Sequence, residues 1–187
     1  MTVMRFRPDD FMVDGALRDL CIFDTDLRDW ERMVTSLSSS GWDVRFRLQL
    51  PDRVVEVLES VRELFDRLAV DGEISAAMSV RVGDLWFACY FFDPDEIEFT
   101  FDPRDVTDET SFASLERFMT WLAETIGKRV VMTMETIDHR LVPALLEVGP
   151  DDASPRFEPG AAGAVHRHGR QGVGTWVRGW RRRRGLL

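Results

Sequence analysis

Two apolar runs, residues 74–82 and 85–92, are separated only by Gly83-Asp84. A two-residue gap containing glycine reads as a tight antiparallel hairpin, because parallel neighbours need a crossover of a dozen residues or more. The second run, Leu-Trp-Phe-Ala-Cys-Tyr-Phe-Phe, is apolar on both faces and belongs in the centre of a sheet. The hairpin commits the chain to an antiparallel sheet, and the remaining segments must pack around it.

Those segments follow two periods. Residues 17–23 read as a strand. Asp24-Thr25-Asp26 supplies cap oxygens for a helix in which Leu27, Trp30, Met33, Val34 and Leu37 recur at helical spacing, ending at Gly41. Residues 42–50 alternate strictly between apolar and polar, the mark of a half-buried strand. After Pro51-Asp52, the positions of Val54, Val55, Leu58, Val61, Phe65 and Leu68 predict a second helix over 54–68. Ile97, Phe99 and Phe101 mark a strand that Pro103 ends. A third helix carries Phe112, Leu115, Phe118, Met119, Leu122 and Ile126, capped by Thr107-Asp108 and stopped by Gly127. Residues 130–134 are a last strand. The expected class is therefore α+β: a mostly antiparallel sheet of about six strands with about three helices, in the order β-α-β-α-β-β-β-α-β.

Charge divides the chain at about residue 154. Residues 1–154 hold 32 acidic and 16 basic residues, net −16; the last 33 hold eight Arg and Glu158 alone, net +7. The foldable periodicity stops near the same place. Residues 1–148 are expected to form one acidic globular domain; the whole chain is 44% hydrophobic and carries 13 Phe, enough to build its core. Gly149-Pro150-Asp151-Asp152 reads as a linker, and 149–187 as a disordered Gly/Arg-rich basic tail. The N-terminus has charged residues where a signal peptide would be apolar. The longest apolar run is eight residues, against roughly 20 for a membrane span. The expectation is a soluble, cytoplasmic body. Cys21 and Cys89 then read as reduced core thiols; a disulfide would require their strands to be neighbours.

No chemical motif stands out. Asp93, Asp95, Glu96, Glu98, Asp102, Asp105, Asp108 and Glu109 place eight carboxylates in 17 residues. Asp93-Pro94-Asp95 begins like a calcium loop, but apolar residues fill later ligand positions and no glycine follows. Paired carboxylates for acid–base work are the other chemical reading, yet the alternation puts Glu98 and Asp102 on the wet side of a strand. A solvated acidic face is the plainest reading of the run. The first six of these residues are the candidates for binding a basic protein partner, since carboxylates fixed on a sheet edge attract a cationic surface. His139, beside Asp138, has no nucleophile pattern near it. His166 and His168 make a poor metal site without further ligands. Gly169 to Gly174 loosely evokes a phosphate loop but lacks the flanking strand and helix. No cofactor or metal is expected.

In the tail, Trp176, Trp180, Arg181, Arg182, Arg183 and Arg184 form the sharpest feature. Such a segment suits an anionic membrane, nucleic acid or the acidic body itself, and the same composition arises from a frame or stop-codon accident in GC-rich coding. The body's charge opposes direct nucleic-acid binding.

Residues 15–37 and the stretch from Phe91-Phe92-Asp93 to Phe101-Asp102-Pro103-Arg104 resemble small uncharacterised bacterial proteins. In type (small, acidic, α+β, without an active site) the chain is similar to immunity proteins of bacterial polymorphic toxin systems. That resemblance implies a non-enzymatic protein that binds and blocks a basic toxin, often a nuclease. Two other readings stay open: an enzyme or small-ligand-binding domain whose acidic site is assembled only in three dimensions, and a nucleic-acid or membrane adaptor acting through the tail.

Overall fold

The structure is a computed structural model that describes residues 5–51, 53–135 and 144–151. All of them fall in one compact unit, Met1–Pro155. Residues 152–187 of the expected tail, together with His139, lie outside the described residues.

Among the described residues, eight strands form one sheet: β1 Arg18–Phe23, β2 Asp43–Gln49, β3 Val54–Val55, β4 Ser75–Val82, β5 Leu85–Tyr90, β6 Glu96–Phe101, β7 Val130–Met134 and β8 Leu146–Val148. Their spatial order is β3-β2-β4-β5-β6-β1-β7-β8, and every adjacent pair is antiparallel. Among the described residues, three helices complete the α+β fold: α1 Leu27–Ser38, α2 Val61–Val70 and α3 Glu109–Ile126. Short 3₁₀ turns occupy Pro8–Phe11 and Pro103–Asp105.

The hairpin of β4 and β5 holds the predicted register, with Val82 opposite Leu85 across Gly83-Asp84. Gly83 has φ of 60°, and a Cβ there would sit 2.5 Å from Ser114 Oγ on α3. The turn therefore needs glycine both for its left-handed backbone and for contact with the helix.

Two expectations fail. The strand count is eight rather than about six, and α2 starts at Val61 rather than at residue 54. Leu50 N–H donates to the Arg53 carbonyl at 2.9 Å, so the chain reverses at once and lays Val54 and Val55 against Gln49 and Leu48. β-branched pairs favour that extended state. The helix begins only where Ser60 can cap it, its hydroxyl accepting from Glu63 N–H at 3.3 Å. The other additional strand is β8, three residues that pair with β7 where the sequence pattern fades.

All three helices cover one face of the sheet. Phe118 of α3 sits 4.3 Å from Phe87 and 5.0 Å from Phe99, centroid to centroid. Trp30 of α1 meets Phe91 at 4.8 Å and Phe65 of α2 at 5.2 Å. The N-terminal segment is held by Arg18, a buried cation that donates to the carbonyls of Asp10, Met12, Ala16 and Leu17 at 3.0–3.3 Å. Its guanidinium also pairs with Asp14 at 3.4 Å, so the buried charge has both acceptors and a counterion.

The opposite face, on which no helix packs among the described residues, presents the alternate side chains of the same strands. Register places Arg45, Ser79, Ala88, Thr100, Asp19 and Thr133 in one row across it, from β2 to β7. Cys21 and Glu98 are opposite each other on this face. Cys89 pairs with Phe99 and lies on the helix side. The two thiols are thus on different strands, on different faces, with β6 between them, and both are free and buried.

Candidate functional site: an acidic rim and the helix-free face

Two chain reversals meet at one end of the sheet. Asp24-Thr25-Asp26 connects β1 to α1; residues 91–95 connect β5 to β6. Asp24 takes a left-handed φ of 57°, which aspartate tolerates better than most residues. Asp26 caps α1, accepting from the N–H groups of Arg28 at 2.8 Å and Asp29 at 3.0 Å, and Asp29 returns a bond to Asp26 N–H. These donors, the Asp29 amide first, hold the Asp26 carboxyl below the usual aspartate range.

Hydrogen bonds lock the two reversals together. Thr25 N–H donates to the Asp95 carbonyl at 2.9 Å. The Pro94 carbonyl accepts from both Thr25 Oγ1 at 2.9 Å and Trp30 Nε1 at 3.2 Å. Since Trp30 is wholly buried, the core anchors the junction. Lys128, following α3, adds a clasp by donating to the Asp24 carbonyl and to Asp29 Oδ2. The carboxylates of Asp24, Asp26, Asp93 and Asp95 remain exposed on this fixed frame. Phe92, one residue before Asp93, is 43% exposed and its ring stacks on Tyr90 at 5.5 Å.

The six acids expected to act together are divided among three places. Asp93 and Asp95 belong to the rim. Glu96 and Glu98 are half-buried on β6; Glu98 lies on the helix-free face, and the alternation puts Glu96 there too. Asp102 and Asp105 lie past the far end of that strand, roughly 17–20 Å away for six residues of β-structure. Asp102, expected on the wet side of the strand, is instead buried, because Arg104 satisfies its carboxylate with Nε at 2.9 Å and its backbone N–H at 2.9 Å. Arg104 is the main reason that Asp102 stays below the usual range. Asp105 is pushed up by partial desolvation and by Asp102 beside it. Asp108 is the N-cap of α3, accepting from Thr110 and Ser111 N–H groups at 3.0 and 2.8 Å.

On the helix-free face, donor atoms of Cys21, Glu96 and Glu98 all lie within 4.8 Å of one another. Asp19 next to them is 0% exposed, and its Oδ1 accepts from Thr100 Oγ1 at 2.9 Å. Burial above all, then the charges of Glu98, Asp19 and Glu96, push the Cys21 thiol far up. A thiol kept protonated is a poor nucleophile.

A cleft of about 370 Å³ runs between α1 and the start of α2, lined by Glu31, Val34, Thr35, Leu58, Glu59, Ser60 and Val61. Its two carboxylates have no histidine, cysteine or lysine among the lining residues, and the Ser60 hydroxyl is engaged in capping α2.

Sequence reasoning missed Asp24 and Asp26, which it read only as cap oxygens, and Asp19 and Cys21, which it read as part of an apolar strand. The period-two alternation of β1 was the available signal: Leu20 and Ile22 mark the core side, so Asp19 and Cys21 must face the other way.

No family model matches the chain, and no curated protein or solved structure matches it. Among the described residues, no helix is long and apolar enough to cross a membrane.

Proposed function

We propose that the chain is a non-enzymatic binding protein whose acidic rim docks a basic protein, in the manner of an immunity protein that covers the site of a toxin. The observation that carries this reading is the cross-bonded pair of reversals, which holds Asp24, Asp26, Asp93 and Asp95 in water on a frame anchored by Trp30. Fixing four carboxylates in place costs entropy once, on folding, so little is lost when a cationic partner arrives. Their field also steers the encounter. Phe92 at the margin offers the kind of aromatic anchor around which interface energy concentrates.

The test is binding of the purified chain to the product of the adjacent gene in the native host, followed as a function of salt. Binding is expected to weaken steeply with ionic strength. Reversing the rim with Asp93→Arg and Asp95→Arg should slow association by at least about tenfold at low salt, with a smaller change in dissociation. Truncation after Ser154 should leave binding intact, because the rim is in the body. Binding that is insensitive to salt and to both reversals would overturn the reading. Loss of binding on truncation would move the function to the tail.

A further inference from the structure

We propose that the open edge of β2 pairs with the same edge of a second copy, joining two sheets across a two-fold axis at Val44. This inference is independent of the acidic rim. β3 covers only Leu48 and Gln49, and among the described residues no strand pairs with 43–47 on that side. Residues along an antiparallel strand turn both backbone groups alternately to one neighbour and the other. Leu50 bonds toward β3, so Leu48, Phe46 and Val44 present their N–H and C=O groups to that same side. Val44 and Phe46 therefore offer a strand-ready edge.

The side chains around that edge choose its partner. The β2 sequence carries Asp43, Arg45 and Arg47 on the helix-free face, with Trp42, Val44 and Phe46 half-buried toward the helices. An antiparallel copy centred on Val44 places Asp43 opposite Arg45, in both directions, and Trp42 opposite Phe46. Each Asp43–Arg45 pair, now 2.7 Å apart within one strand, would merge with its copy into an alternating four-charge array. Arg45 is held on the face for this by stacking over Trp86 at 4.6 Å. Shifting the axis to Arg45 would set Arg45 against itself, and like charges directly opposite oppose pairing. Charges on an edge ordinarily repel foreign strands. Here the pattern repels strands in general and accepts its own sequence in one register.

The experiment is sedimentation equilibrium of the full chain with four variants, each checked for native circular dichroism. The wild type is expected to dimerise. Asp43→Arg and Arg45→Asp alone should each weaken the dimer by about tenfold or more, because each puts like charges opposite one another. The Asp43→Arg/Arg45→Asp exchange should restore it, since the opposed pairs are again complementary. Val44→Pro should abolish it by removing the central donor. A wild type that stays monomeric, a dimer indifferent to the single reversals, or an exchange variant that folds but does not recover would each overturn the proposal.

Discussion

Strand β1 is buried on both sides, but by different means. Leu20 and Ile22 face the helices, Asp19 and Cys21 face away, and all four have no exposed surface. On the helix side burial is apolar, made of rings and aliphatic groups such as Phe99, Phe118 and Met132. On the other side it is polar: Asp19 accepts from Thr100, and Thr133 hydrogen-bonds Cys21. The first kind of burial depends on filled volume and degrades gradually as atoms are removed. The second depends on matched donors and acceptors, and losing one member strands the other. Equal exposure therefore conceals unequal sensitivities.

The largest effect should come from the helix side. Phe118→Ala, which removes the ring packed on Phe87 and Phe99, is expected to cost about 3–5 kcal/mol in urea unfolding. Asp19→Ala deletes few atoms but leaves the buried Thr100 hydroxyl without its acceptor, and should cost about 1–3 kcal/mol. If Asp19→Ala were neutral, the contrast between the two faces would collapse. Next come the helix caps: Asp26→Ala and Asp108→Ala should each cost about 0.5–2 kcal/mol. Those caps also have a pH signature. Both carboxyls are held below the usual range, so their contribution is present above about pH 4 and is lost as pH falls through their folded values. Asp105 and Glu116 are shifted upward, mainly by desolvation, so their ionised forms cost stability at neutral pH and that cost lifts on mild acidification. Urea midpoints should pass through a shallow maximum below neutrality, and the cap variants should flatten the acid limb. The smallest effect should be Arg81→Ala, which removes an exposed pair with Asp84 and should change stability by at most about 1 kcal/mol.

Legibility in the sequence followed length and locality. The β4–β5 hairpin was readable because its turn is two residues long and its strands run six or more. α3 was readable at both ends through Asp108 and Gly127, whose φ of 74° needs the freedom of glycine. β3 and β8, two and three residues long, have no period to count. Val54, Val55 and Leu58 mimic a helical stripe only because an extended segment happens to precede a real helix. The acidic run was visible as composition, yet its division was not. Asp102 spends its charge on Arg104, while Asp93 and Asp95 join Asp24 and Asp26 through a bond spanning 69 residues. Such a contact leaves no trace in local spacing.

The clasp at Lys128 has a practical corollary. It is the chain's one lysine, so the protein carries a single ε-amine, and that amine is tied to the Asp24 carbonyl and to Asp29. An amine-directed label therefore has one side-chain target, and its rate of attachment reports how often the junction beneath the rim opens. The molecule carries its own chemical gauge of local breathing, readable by mass spectrometry without any substitution.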